Sequence, residues 1–320
     1  MRIIYLGSPE FAISPLKALV QAGYEVVAAV TPPDRPAGRK QTLTPPPVKQ
    51  AAQEMGIRVL QPESLRDPAE VEQLAALRPD IGVVAAYGKI LRKAVLNIPP
   101  LGYLNLHPSL LPRHRGPAPV AGAILAGDSE TGVTIMKLDP GMDSGPILTR
   151  VTVPLEPTAR TGPLTEALFQ LGAQALLEVL PRYASGQLEP QEQEHAQATV
   201  TRMLKKADGL VNWNHPAQHI ERATRAYDPW PGMATIWRGQ TVKLIAAWSH
   251  PEWCGNATPG TIVGKARGPL VATGAGALEL LEVQPAGKRP MTGQEWFIGQ
   301  REVVGQQFET PAPEQPGTHE

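Results

Sequence analysis

RIIYLGSPEFAISPLKALVQAGYEVVAAV, residues 2–30, decides the fold. Arg2–Gly7 is a short apolar run of strand length. Pro9–Ala22 carries apolar residues at helical spacing, with Ser8 placed as a cap and Pro9 in the first turn. Gly23 stops that helix, and Glu25–Val30 is a second apolar run. Both runs are apolar on both faces, as in a parallel sheet covered on two sides, so the stretch reads as a β-α-β unit. The alternation continues along the chain. Pro47–Gly56, Pro68–Leu77 and Gly162–Tyr183 read as helices; Arg58–Leu60, Asp80–Tyr87, Leu101–Leu106 and Thr131–Leu138 read as strands. The expected fold class is α/β, with an open, mostly parallel Rossmann-like sheet.

Two stretches interrupt the pattern. TPPDRPAGRKQTLTPP, between Val30 and Pro47, is far longer than a usual β-α loop, and long loops of this kind are usually functional. After Tyr183 the composition turns polar and Glu/Gln-rich, and residues 186–206 read as a linker. Beyond it, one helix over Pro216–Ala226 precedes short strand-like runs broken by Gly and Pro, the pattern of a small OB-like β-barrel. The expected domains are residues 1–185 with the catalytic sheet, a linker over 186–206, a barrel over 207–310 and a disordered tail over 311–320.

The chain has 320 residues, with 30 basic and 30 acidic side chains, so its formal net charge is zero. A general nucleic-acid coat would be basic; a localised basic track remains open. Residues 201–310 carry 12 Lys and Arg against 9 Asp and Glu, so the second half is the more basic. The single cysteine, Cys254, permits no intramolecular disulfide, which fits a reducing cytosol. No apolar run approaches the roughly 20 residues a membrane helix needs, and no signal-peptide pattern opens the chain. A cytoplasmic monomer without a membrane partner is expected. The 35 prolines indicate stiff loops.

The chemistry concentrates in NLHPSLLPRHRG, residues 105–116. The turn after the first strand, GSPEFA, lacks the glycine pattern that lets a backbone approach a pyrophosphate, which argues against dinucleotide binding. His107 follows the apolar run GYLNL, where open α/β sheets place their ligands. Asn105 is two residues earlier, so in an extended strand both side chains point to one face. An amide and an imidazole on one face at a strand end make an oxyanion-stabilising pair. The third member is Asp143, in the Gly- and Pro-dense loop LDPGMDSGPIL, with Asp139 as the alternative carboxylate. A carboxylate there orients the histidine and favours its charged form.

NLHPSLLPRHRG with a later GMDSG resembles the 10-formyltetrahydrofolate-dependent formyltransferases. GSPEFA, PPDRPAGR, PPPVK, QPESLR, AYGKIL, GPAPVAGAI and YDPWPG extend the resemblance over about residues 1–305, toward the branch that formylates methionyl initiator tRNA. The chain departs from that family's pattern at His114, where an aromatic Trp or Tyr is usual, and at Asn212, where Asp is usual. The resemblance implies a catalytic triad of Asn105, His107 and Asp143. It implies 10-formyltetrahydrofolate as the formyl-donor co-substrate, held by Ser109, Leu110, Leu111 and Pro112 with Ile90 and Leu91 as apolar walls, and no metal. It implies methionyl initiator tRNA as the partner, met by Arg39 and Lys40 at the tip of the long loop and by Arg113, Arg115, Lys205 and Lys206. Arg202, Lys243, Lys265, Arg267, Lys288 and Arg289 would extend that track. Within the enzyme class the alternative acceptor is a small amine or water. A non-catalytic RNA-binding module is the alternative outside it, and the intact Asn-x-His and Asp argue against that.

Overall fold

The computed structural model describes residues 1–37 and 42–309; Arg39, Lys40 and the expected tail over 311–320 lie outside the described residues. The chain divides into two compact units. Met1–Ala123, Ser129–Glu156 and Pro163–Met203 form the first; Ile124–Asp128, Pro157–Gly162 and the chain from Leu204 form the second.

The strands and helices run β1 (Arg2–Gly7), α1 (Ile13–Gln21), β2 (Glu25–Val30), β3 (Arg35–Ala37), β4 (Thr42–Thr44), α2 (Pro47–Glu54), β5 (Val59–Leu60), α3 (Pro68–Ala76) and β6 (Ile81–Ala85). They continue with α4 (Lys93–Leu96), β7 (Tyr103–His107), α5 (Pro119–Ala126), β8 (Glu130–Lys137), β9 (Ile147–Pro154) and α6 (Thr161–Ala184). Seven strands form one sheet in the order β5-β2-β1-β6-β7-β8-β9. The first five run parallel, and β8 and β9 are antiparallel additions. The expected Rossmann-like sheet is present. The cap expected of Ser8 is not: the chain enters α1 through a 3-10 turn, Glu10–Ala12, with no side-chain cap.

Register assigns the faces. Tyr5, Val83, Leu104, Leu106 and Ile135 point to one side and pack with Leu16, Leu19, Val48, Phe169, Leu176 and Leu180, from α1, α2 and α6. Leu6, Val84 and Tyr103 point to the other side, under Leu74 of α3 and Val95 and Leu96 of α4. Asn105 pairs with Val84 on one neighbour and Met136 on the other, so it belongs to this second face, and His107 follows it by the two-residue alternation. At this end of the sheet Leu111 closes over Met136 and Ile147. The long loop contains a two-stranded antiparallel ribbon of β3 and β4. Asp34 anchors its base, accepting from Lys49 Nζ at 2.7 and 2.8 Å and from Gln61 Nε2 at 2.8 Å.

The expected linker over 186–206 needs correction. Its residues up to Met203 belong to the first unit. Gln191 exchanges two backbone hydrogen bonds with Ile147 (2.7 and 2.8 Å), and Arg115 donates to Thr199 and accepts from Thr201 (2.9 and 2.7 Å). Its polar side chains looked like solvated linker, but several of them fill hydrogen-bonding positions inside the unit.

The second unit holds α7 (Ala217–Ala226), β10 (Met233–Trp237), β11 (Gln240–His250), β12 (Ile262–Lys265), β13 (Pro269–Ala272), β14 (Ala277–Pro285), β15 (Met291–Thr292) and α8 (Gly293–Ile298). Its antiparallel sheet runs β10-β11-β14-β13-β12, with β15 on β14. The expected barrel is not closed by a ladder among the described residues. Single bridges Ile236–Glu309 and Thr261–Gln307 tie the last described segment to the two edges instead. The core centres on Trp213, Trp237, Trp296 and Phe308, whose rings lie 4.9–5.6 Å apart.

Candidate active site

β7 delivers two polar side chains into an otherwise apolar strand. Asn105 and His107 are 9% and 4% exposed, and such burial requires polar partners. For His107 the loop after β7 folds back on itself and supplies one. Ser109 N–H donates to His107 O at 2.9 Å, and Ser109 Oγ donates to Arg113 O at 2.7 Å. Thr134 Oγ1 of β8 donates to Ser109 O at 2.6 Å and accepts from Leu111 N–H at 3.2 Å. The loop then returns to the histidine: His107 Nε2 lies 3.0 Å from His114 O. A carbonyl only accepts, so Nε2 carries a proton. The other ring nitrogen, Nδ1, faces Asp143 Oδ2 at 3.6 Å.

Asp143 reaches that position from the glycine loop between β8 and β9. It sits at φ +49°, the left-handed region that costs an ordinary L-residue about 1–2 kcal/mol. Gly116 N–H donates to its Oδ2 at 2.8 Å. Gly116 itself needs to be glycine: its φ is +99°, and a Cβ would lie 2.5 Å from Thr201 O. Asp139, the alternative carboxylate, is spent within the loop. It accepts from Ser144 Oγ at 2.8 and 3.0 Å and from Gly141 N–H at 3.0 Å, and so braces the turn that presents Asp143.

Of the expected site residues, Asn105, His107 and Asp143 thus share one face of the sheet's end. The expected folate residues divide. Ser109, Leu111 and Leu91 are 0%, 1% and 5% exposed and Pro112 is also buried, so these side chains are taken up by the chain's own packing. Leu110 is half-buried and Ile90 is 79% exposed. The 109–112 segment therefore offers a ligand mostly backbone, and Ile90 is the one expected apolar wall with free surface.

One expectation about a cation is corrected. Arg115, expected to face a phosphate, is buried: its Nε and Nη2 donate to Gln193 Oε1 at 3.1 and 2.7 Å, and Nη2 also meets His195 Nδ1 at 2.9 Å. His114, which stands where the family usually has an aromatic, is 7% exposed and serves the site through its backbone carbonyl. Arg113, Lys205 and Lys206 are exposed. The sequence reading missed Gln193, which lies in the Glu/Gln-rich stretch and carries no signal that separates it from its neighbours.

Among the described residues no group of three or more His, Cys, Asp or Glu is placed to hold a metal ion, and no helix is long and apolar enough to cross a membrane. A family model described as formyl transferase matches residues 1–180, and one described as formyl transferase, C-terminal domain, matches residues 203–301. A methionyl-tRNA formyltransferase of Chloroflexus aggregans is 64% identical over 301 residues, covering 93% of this chain and 97% of that protein. One from a Roseiflexus species is 59% identical over 309 residues, covering 96% and 95%. Among solved structures, HypX from Aquifex aeolicus in complex with tetrahydrofolic acid has a TM-score of 0.61 at 18% identity. It covers 93% of this chain, which spans about half (47%) of HypX, and it shares the fold.

Proposed function

The chain belongs to the formyl transferase family, and we propose from that premise that it transfers a formyl group from 10-formyltetrahydrofolate to the α-amine of methionyl initiator tRNA. It is an enzyme, a formyltransferase, with a folate co-substrate and a tRNA substrate. The observation that carries the catalytic assignment is the pairing of a buried histidine, fixed by a backbone carbonyl, with an aspartate across 3.6 Å.

The amine attacks the formyl carbon, a new C–N bond forms, and an oxyanion develops on the formyl oxygen. Asn105 and His107 stand on one face to donate to it, and one such donor is worth about 3–4 kcal/mol. Because His107 Nε2–H is committed to His114 O, the Nδ1 edge is the one left for the reacting atoms. Asp143 sits on that edge. It stabilises the charged ring and takes the proton the amine loses, directly or through water. Collapse of the tetrahedral centre breaks the bond to N10 of the folate, and that nitrogen recovers a proton. General acid–base help of this kind contributes roughly two to four powers of ten.

For the tRNA, the first unit exposes Arg113 and Arg202, and the second exposes Lys205, Lys206, Lys243, Lys265, Arg267, Lys288 and Arg289. Such cations on a chain of zero net charge suit local phosphate contacts. Arg39 and Lys40 lie outside the described residues. The protein is taken to act in the cytoplasm as a monomer. The test offers purified protein 10-formyltetrahydrofolate with methionyl initiator tRNA, methionyl elongator tRNA, or a small amine. Formylation of the initiator tRNA alone supports the reading; turnover confined to the small amine or to water refutes it.

A further inference from the structure

We infer that Gln193, held by Arg115, is a positioning residue of the transfer reaction that fixes the Asp143 loop so that its carboxylate faces His107. The inference rests on the reading of Asp143 given above.

Every polar position of the Gln193 amide is used. Its Nε2 donates to Asp143 O at 2.9 Å and to Gly145 O at 2.7 Å. Its Oε1 accepts twice from the Arg115 guanidinium, at 3.1 and 2.7 Å. Reversing the amide would set N–H groups against a guanidinium and an oxygen against two carbonyls, so the orientation follows from the chemistry of the partners. Gln193 and Arg115 are 4% and 9% exposed, so water does not substitute for these bonds without cost. The two carbonyls belong to the catalytic aspartate itself and to the glycine two residues on. A Cβ on that glycine, Gly145, would lie 2.0 Å from Lys137 O, so the loop is already pressed on the end of β8. Asp143 sits at φ +49°, and the two hydrogen bonds from Gln193 hold the backbone on either side of Ser144 in the turn that presents its carboxylate.

Arg115 couples this clamp to the rest of the site. Its backbone is stitched to Thr199 and Thr201, and the next residue, Gly116, donates to Asp143 Oδ2 at 2.8 Å. The carboxylate of Asp143 is thus gripped from Gly116, and its backbone from Gln193. Both grips originate in the 115–116 dipeptide. A merely structural brace would raise stability and leave catalysis alone; a positioning brace would act on kcat through Asp143.

The experiment measures kcat and KM for formylation of methionyl initiator tRNA by the full-length protein. The variants are Gln193→Glu, Gln193→Met, Asp143→Asn and the double variant Gln193→Glu/Asp143→Asn, each with a thermal melt. Gln193→Glu keeps the acceptors for Arg115 and turns an oxygen toward the two carbonyls. Either Gln193 variant is expected to lower kcat about ten- to a hundredfold, with both KM values within about twofold of wild type. In the Asp143→Asn background Gln193→Glu is expected to cost no more than about a further twofold, because the group it positions is already gone. A multiplicative loss in the double variant, an unchanged kcat in both single variants, or a KM rise accounting for the whole loss overturns the inference. An Asp143→Asn protein with wild-type kcat would overturn the reading of Asp143 instead. If Gln193→Glu melts far below wild type, Gln193→Met, which keeps the volume and sets no oxygen against the carbonyls, decides by the same criteria, alone and combined with Asp143→Asn.

Discussion

Replacing Asp143 by asparagine removes one thing from the site. The side chain keeps its shape and an oxygen to accept from Gly116 N–H, now at 2.8 Å; the negative charge facing His107 disappears. At the observed 3.6 Å, attraction between a full carboxylate and a full imidazolium is about 4–5 kcal/mol at an effective dielectric of about 20. Lost from the transition state, that is about three powers of ten in rate. Removal of a general base is worth roughly two to four powers of ten, which brackets the same figure. The expected outcome is therefore a kcat about a thousandfold below wild type, with unchanged KM for folate and tRNA. The melting temperature should hold, since asparagine also tolerates the left-handed backbone at this position. Rapid-mixing formylation of labelled methionyl initiator tRNA, with a parallel melt, measures both. A variant that retains more than a tenth of wild-type kcat, or whose loss lies in KM, refutes the assignment of Asp143 to the reacting edge of His107.

Other outcomes follow from the packing. Trp213 is fully buried, stacks on Phe308 and donates from Nε1 to Thr235 Oγ1 at 3.1 Å, so Trp213→Ala should destabilise the second unit by about 3–5 kcal/mol in chemical denaturation. In the same unit Glu279 is buried beside His250 and Arg267. Burial pushes its carboxyl up, but hydrogen bonds from Arg267 and His250 outweigh that and hold it below the ordinary 4.5. Burial pushes His250 down, but Glu279 and Glu252 outweigh that and hold it above 6.5. Glu279 therefore stabilises above pH 4.5 and loses its contribution as pH falls through its lower folded value. His250 stabilises below pH 6.5 and loses its contribution as pH rises through its higher folded value. Melts across pH should show this unit most stable between those two limits, with Glu279→Gln flattening the acid side; an unchanged acid side would contradict it. Asp34→Ala unties the base of the β3–β4 ribbon from Lys49 and Gln61. It should raise KM for the tRNA several-fold and leave KM for the folate alone.

Periodicity carried the fold where burial was two-sided. β1, β2 and β6 are nearly continuous apolar runs because helices cover both faces, and runs of that kind stand out from single-sequence patterning. β9 escaped although ILTRVTVP alternates from Thr149 onward as a half-buried strand does, because its first two residues, Ile147 and Leu148, belong to the Gly- and Pro-dense stretch LDPGMDSGPIL. The small barrel was legible as short strands, but its incomplete closure depends on single bridges made by residues 307 and 309, and no local pattern encodes those.

At the site, Asn105, His107 and Asp143 stood out in the sequence because the proposed chemistry needs particular side chains, and the fold sets His107 against Asp143 at 3.6 Å. The supports did not stand out. His114 contributes a carbonyl, which any residue carries, and its ring drew attention for the wrong reason. Arg115 looked like a phosphate contact because exposed arginine is the commoner case, and its burial depends on a glutamine 78 residues away. Gln193 sat in a stretch whose composition resembles a solvated linker, so its place between Arg115 and Asp143 emerged only once the chain was folded.

The most direct test of the central claim is His107→Ala, assayed for binding of methionyl initiator tRNA and for its formylation in the same preparation. Retained binding with formylation lowered at least a hundredfold is the result expected of an oxyanion donor. Formylation at the wild-type rate would contradict it, and would remove the site at the end of β7 from the reaction.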